Sequence, residues 1–171
     1  MSEEKTKITH AQSGQAHFLG TDLSNGRNGG HIFVTTTTQK AKRHYKSRAG
    51  KTTPTMKAPI KKLVQKLCLK GFCTPIGVPS CKDGWTTLDT DQIITRFNSI
   101  NRGIQNYYRF VDNFAKIDRI QYILKFSLAK TLAKKYRISV SKVFKKFSKD
   151  ITFRIKSTNG KTGSVAKFEK A

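Results

Sequence analysis

Between Asp22 and Asp83 the chain carries no acidic residue, while lysine and arginine recur throughout. A segment without countercharge repels itself, and an absent anionic partner is the simplest explanation for it, a merely soluble, self-repelling tail being the competing reading. Over 171 residues, 34 Lys plus Arg face ten Asp plus Glu, a formal charge of +24, and the hydrophobic fraction is 36%. Ordinary domains reach about 45–50%, which implies that part of this chain is not packed. A polypeptide this basic needs a polyanion beside it: nucleic acid, an anionic membrane surface or an acidic protein. No apolar run approaches the roughly 18 residues of a bilayer-crossing helix. The opening "MSEEKTKITH" has acids at once and no apolar stretch, unlike a secretory signal, and argues against a transit peptide.

Charge and periodicity divide the sequence into four parts. In residues 1–22, short β-prone runs around Lys7 to Thr9 and Ala16 to Leu19 flank the turn-like "QSGQ" and predict a hairpin. Residues 23–56 are rich in Gly, Asn, Thr, Lys and Arg, with "NGRNGG" and "TTTTQKAKRHYKSRAGKTTPT", and read as a disordered basic linker. Residues 57–150 are helical. Residues 151–171 hold two alternating runs around Asn159-Gly160, a hairpin with a loop longer than two residues. The expected fold is mainly α: a small bundle of about four helices, short hairpins near both termini and the linker between.

Within the helical part, "APIKKLVQKLCLKG" places Ile60, Leu63, Val64 and Leu67 on one stripe and ends on Gly71, a C-cap signature. A Pro- and Gly-punctuated loop follows, and Asp89 or Thr90 can cap the second helix. Its apolar positions are Ile93, Phe97, Ile100, Ile104, Tyr107, Tyr108 and Val111. At about 100° per residue, Thr95, Asn98, Arg102, Gln105, Asn106 and Arg109 fall opposite, a row of guanidinium forks and amides with no carboxylate among them. Arginine forks match phosphate oxygens, and amides bond phosphates, riboses or base edges. An ordinary solvated helix face is the competing reading. Gly103 costs a helix interior about 1 kcal/mol relative to alanine and marks a close backbone approach, by a neighbouring helix or by the ligand. Tyr107 and Tyr108 read as core rings first, and as a platform for an unpaired base second.

The third helix, from about Ile117 to Tyr136, has one apolar stripe of Ile117, Ile120, Leu124, Leu128 and Leu132. A second, of Tyr122, Phe126, Ala129 and Ala133, lies roughly opposite, so the helix is expected at the centre of the bundle. Ser139 caps a fourth helix with Val140, Val143, Phe144 and Phe147 inward. The candidate RNA contacts are Arg96, Asn98, Arg102, Gln105, Asn106 and Arg109 on the second helix, Arg119, Lys130 and Lys134 on one flank of the third, and Lys142, Lys145 and Lys146 on the fourth.

Metal and catalytic chemistry find little support. Cys68, Cys73 and Cys81 are spaced C-x4-C-x7-C with no histidine nearer than His44, so they read as reduced thiols, with Cys68 on the buried side of its helix. There is no G-x-x-x-x-G-K-[ST], H-E-x-x-H or G-x-S-x-G. Asp89 and Asp91, the one internal near-pair of carboxylates, are explained by helix capping. No cofactor, metal or small-molecule substrate is expected.

The strings "RGIQNYYRFVDN" and "ILKFSLAKTLAKKY", within the longer run "LDTDQIITRFNSINRGIQNYYRFVDNFAKIDRIQYILKFSLAKTLAKKYRISVSKVFKKFSKDI", resemble the maturase region, or domain X, of group II intron-encoded proteins. The resemblance covers roughly Pro59 to Phe153. Upstream, "SEEKTKITHAQSGQAHFLGTDL" is similar to the end of the reverse-transcriptase palm in the same proteins, where F-L-G closes a hairpin, and the helix after Ala58 looks like the start of the thumb. The family's Y-A-D-D box would lie before this chain begins. The resemblance implies a non-enzymatic thumb and maturase portion that binds a structured group II intron and helps it reach its active fold, the intron RNA supplying the catalysis. It also suggests a gene in an organelle genome, mitochondrial rather than chloroplast. Three rivals stay open: a non-specific basic RNA scaffold, a reverse-transcriptase fragment completed by a separate polypeptide, and a decayed reading frame.

Overall fold

The computed structural model describes residues 10, 14–25, 32–38, 41–47, 54–154 and 165–169. The chain divides into two units, Met1–Ala58 and Pro59–Ala171.

The first unit is built of short antiparallel strands: β1 (Ala16–Phe18), β2 (Thr21–Asn25), β3 (Ile32–Thr38), β4 (Ala41–Ser47) and β5 (Pro54–Lys57). Leu19 and Gly20, both at positive φ (44° and 74°), form the two-residue turn between β1 and β2. Positive φ at both turn positions matches the right-handed twist of a hairpin, and the F-L-G motif therefore closes one. The strand at 16–18 thus pairs forward with β2; the run at Lys7 to Thr9 lies outside the described residues. β2 also pairs with β5, and the Ser24 and Thr55 hydroxyls meet across that ladder at 2.8 Å.

β3 and β4 pair from Ile32↔Ser47 to Thr38↔Ala41, inside the stretch that composition assigns to a structureless linker. The physical reason is visible in "IFVTTTT". Its β-branched residues favour extended backbone and ladder pairing even without an apolar alternation, which a search for buried faces does not register.

The second unit holds α1 (Ile60–Leu69), α2 (Thr90–Tyr107), α3 (Asp118–Tyr136) and α4 (Val140–Phe147), with the antiparallel pair β6 (Thr152–Arg154) and β7 (Val165–Lys167). α1 buries Leu63, Val64 and Leu67 and ends in a Schellman motif. The Gly71 N–H donates to Cys68 O at 2.8 Å, and Phe72 N–H to Leu67 O at 3.0 Å, with Gly71 at φ 76°. α3 packs against α1, α2 and α4, and its buried residues run round much of its circumference: Ile120, Ile123, Leu124, Ser127, Leu128, Thr131 and Leu132. A helix covered on several sides needs no single apolar stripe, which explains the two stripes in its sequence. Tyr122 of the second stripe remains exposed, against the rim ring Phe126 (4.4 Å between centroids), which in turn meets Phe144 of α4 at 5.6 Å.

Three local expectations are corrected. Asp89 occupies the N-cap position of α2 with extended backbone, yet its carboxylate bonds no helix amide, and the Thr90 hydroxyl instead meets Tyr136 Oη. The helix stops at Tyr107, so the turn that follows buries Tyr108 and leaves Tyr107 half exposed, the two rings edge to face at 4.8 Å. Cys73, rather than Cys68, is the buried thiol.

Candidate nucleic-acid interface

The polar side of α2 is partly occupied by the chain itself. Asn98 behaves as one more strand residue toward the segment after β7: its Nδ2 donates to Lys167 O at 2.6 Å and its Oδ1 accepts from Glu169 N–H at 3.1 Å. One turn along, buried Asn101 donates from Nδ2 to Glu169 O at 2.8 Å. Arg102 then clasps the Glu169 carboxylate, Nε donating at 3.1 Å and Nη2 reaching both oxygens at 2.6 Å. That hydrogen bond raises the already high pKa of the guanidinium. Phe168, buried beside them, pins the segment, and its N–H donates to Asp150 O. The row free of carboxylates in local sequence therefore receives one from a distant residue.

Beside this seam lies an open groove of about 620 Å³, walled by Thr95, Ser99, Arg102 and Asn106 of α2 and by Val165 to Lys167 of β7, with Gly103 in its floor. A Cβ built on Gly103 would meet nothing within 4 Å, so among the described residues no neighbouring helix is the reason for that glycine. Arg109 is exposed beyond the end of α2. Gln105 differs from its neighbours: its Nε2 is buried and meets no acceptor among the described residues.

The basic flank of α3 is a second seam. Arg119 Nη2 donates to Ile76 O at 3.2 Å, Lys130 Nζ to Pro79 O at 2.7 Å, and Lys134 Nζ pairs with Asp83 at 2.8 Å. Ser127 Oγ donates to Ser80 O and Thr131 Oγ1 accepts from Lys82 N–H, completing the attachment of loop 72–88 to α3. The loop turns at Gly77 (φ 89°), where a Cβ would press on Val64 and Arg119 at 3.3 Å. The Asp83–Lys134 hydrogen bond lowers the carboxyl pKa and raises that of the ammonium. The cations expected to face RNA on α3 thus hold a loop, Arg119 and Lys130 through carbonyls that sequence patterns do not reveal and Lys134 through the Asp83 carboxylate.

Two further candidates rest on rings. The Arg96 guanidinium lies 5.6 Å from the centroid of Trp85, itself packed edge to face on Phe72 and Phe97, and Lys146 Nζ lies 4.3 Å over Tyr136. Lys142 and Lys145 stand exposed on α4, whose N-terminus is capped by Ser139 accepting from Lys142 N–H. Arg109, Lys142 and Lys145 form no ion pair among the described residues.

No group of three or more His, Cys, Asp or Glu that could hold a metal ion is gathered among the described residues. Burial pushes the Cys81 thiol up to about 11, with Asp83 adding to the shift, and burial also raises Cys73. Neither is poised as a thiolate ligand at neutral pH. No described helix is long and apolar enough to cross a membrane.

The structure brings Asn98, Arg102 and Asn106 to one groove and keeps the α3 and α4 cations apart from it on their own elements. Sequence reasoning missed Ser99, Lys167 and Glu169 as members of the same site. The C-terminal partners stand 67 to 71 positions away along the chain, and no local periodicity announces them.

The family model described as type II intron maturase matches residues 51–171. The chain is 37% identical over 155 residues to the "Putative COX1/OXI3 intron 1 protein" of Saccharomyces cerevisiae, a match covering 86% of this chain and 18% of that protein. It is 42% identical over 89 residues to the Maturase K of Physcomitrium patens (52% of this chain, 18% of the relative). With the Maturase K of Marchantia polymorpha the identity is 38% over 93 residues (54% and 25%). The chain therefore spans about a fifth to a quarter of the length of these relatives.

Proposed function

The chain belongs to the type II intron maturase family, and from that premise we propose that it is an RNA-binding splicing factor that helps a group II intron fold and splice. The observation that carries this reading is that exposed cations, Arg109, Lys142 and Lys145 among them, meet no carboxylate among the described residues, in a chain of formal charge +24. Cations left in water beside a packed bundle are available to phosphate oxygens, and each neutralised phosphate releases a counterion. The amides and hydroxyls of the α2 groove add contacts of defined geometry. Arg96, Arg102, Arg119, Lys130, Lys134 and Lys146 are proposed as a second set, presenting to RNA the hydrogen-bonding capacity that their carbonyl, carboxylate or ring partners leave.

The mechanism is neutralisation and positioning. RNA domains that repel one another are held together against the basic faces of α2 and α4, and the intron itself performs the transesterifications. No cofactor or small-molecule substrate enters. The relatives' names, an intron protein and maturases, support an organelle genome as the source, with the mitochondrion favoured over the chloroplast because the match to the yeast COX1 intron protein runs over more of the chain. The palm-like string "SEEKTKITHAQSGQAHFLGTDL" carries a second reading, in which a separate polypeptide supplies the remainder of a reverse transcriptase. Primer extension with and without a palm-containing fragment distinguishes it.

Crosslinking the purified chain to total organellar RNA and sequencing the bound fraction tests the proposal. Enrichment of one or a few group II introns is expected. Recovery in proportion to RNA abundance would instead assign the chain to the non-specific scaffolds.

A further inference from the structure

The groove between α2 and β7 contains a contradiction that the fold does not resolve internally. Gly103 sits in the interior of α2, where glycine is the costliest residue after proline, and, its own stretch of helix aside, no described atom lies within 4 Å of the position its Cβ would take. Among the described residues neither a turn nor a close helix contact requires it. The α2 wall of the groove is hydrogen-bonding: the Thr95 and Ser99 hydroxyls, the Asn106 amide and the Arg102 guanidinium, which Glu169 holds by Nε and Nη2. The Glu169 carboxylate marks where an oxyanion sits on that fork. The volume of about 620 Å³ falls in the roughly 300–1,000 Å³ range of ligand sites.

We propose that this groove is a subsite for the sugar–phosphate backbone of the bound RNA, in which a phosphate displaces Glu169 from Arg102 and the adjoining ribose lies against α2 at Gly103. The inference rests on the RNA-binding reading above and deepens it. A guanidinium offers charge and planar donors to the phosphate, while the Ser99 hydroxyl and the Asn106 amide, about one helical turn on either side of Gly103, suit a ribose 2′-hydroxyl, which donates and accepts. A side chain at position 103 would stand between ribose and helix.

The test compares Gly103→Ala and Gly103→Leu with the wild-type chain, reading thermal unfolding together with binding to intron RNA and to heparin. Among the described residues a Cβ at position 103 meets nothing within 4 Å, so both variants are expected to fold, and Gly103→Ala should unfold several degrees higher because alanine favours the helix. Intron affinity should nevertheless fall, by about tenfold for Gly103→Leu, and heparin binding should stay unchanged. Stabilised variants that bind the intron as tightly as wild type would overturn the subsite while leaving the splicing-factor reading intact. A wild-type chain with no preference for the intron over heparin would remove that reading and the subsite together.

Discussion

Arg102 on α2 and Glu169 beyond β7 form a bidentate ion pair with both side chains more than half exposed, 59% and 53%. Such a pair contributes little to stability, because water solvates both ends and salt screens them. Its consequence is for binding, since Glu169 occupies the donors that an RNA phosphate would use. Glu169→Gln should leave the unfolding midpoint nearly unchanged and tighten intron binding about threefold. Filter binding at several salt concentrations measures this, and weaker binding by the variant would mean that Glu169 orients Arg102 instead of competing for it.

Arg137 ends α3 in the left-handed conformation at φ 53°, where its N–H donates to Lys134 O and the Ile138 N–H to Ala133 O. Glycine adopts that conformation without a Cβ clash. Arg137→Gly is therefore expected to stabilise the chain by about 0.5–1 kcal/mol, read from chemical denaturation.

Gln105 presents a second opening for stabilisation. Its Nε2 is buried with no acceptor among the described residues, and an unmade hydrogen bond of this kind costs about 1–3 kcal/mol. Gln105→Met keeps the length of the side chain and removes the amide, so it should raise stability by about 1 kcal/mol. A loss of stability would show that the amide finds a partner in solution.

The Cys81 thiol, held up to about 11 first by burial and then by Asp83, should stay protonated through the neutral range. Site-resolved alkylation of the native chain is expected to be slow at Cys81 near neutrality and to climb until pH is close to 11. Asp83→Asn removes the neighbouring carboxylate, so the rise should begin at lower pH. It should remain above the ordinary thiol range, because burial persists.

Much of the bundle was legible from spacing. The Leu63, Val64 and Leu67 stripe with Gly71 after it specified α1 and its Schellman end, and the two stripes of α3 identified a helix surrounded by others. Local signals sufficed there because partners lie within one or two turns. The site was legible only as a set of basic and amide residues. Asn98, Asn101 and Arg102 find their partners 67 to 71 positions away, and Arg119 and Lys130 find theirs in backbone carbonyls that every residue possesses. The Tyr107 and Tyr108 pair shows a third limit. Where a helix stops, the rotational phase that assigned both rings to the core no longer applies, and one of them turns to solvent.

Competition binding tests RNA recognition most directly: the wild-type chain and an Arg109→Gln, Lys142→Gln, Lys145→Gln variant are titrated with a structured group II intron against ribosomal RNA across a salt series. The expected result is preference for the intron by wild type, with affinity falling steeply as salt rises. In the variant the slope should flatten by about 0.7–0.9 for each phosphate that is no longer neutralised, at unchanged helicity. A folded variant with the same affinity and slope, or a wild-type chain that holds both RNAs equally, would contradict it.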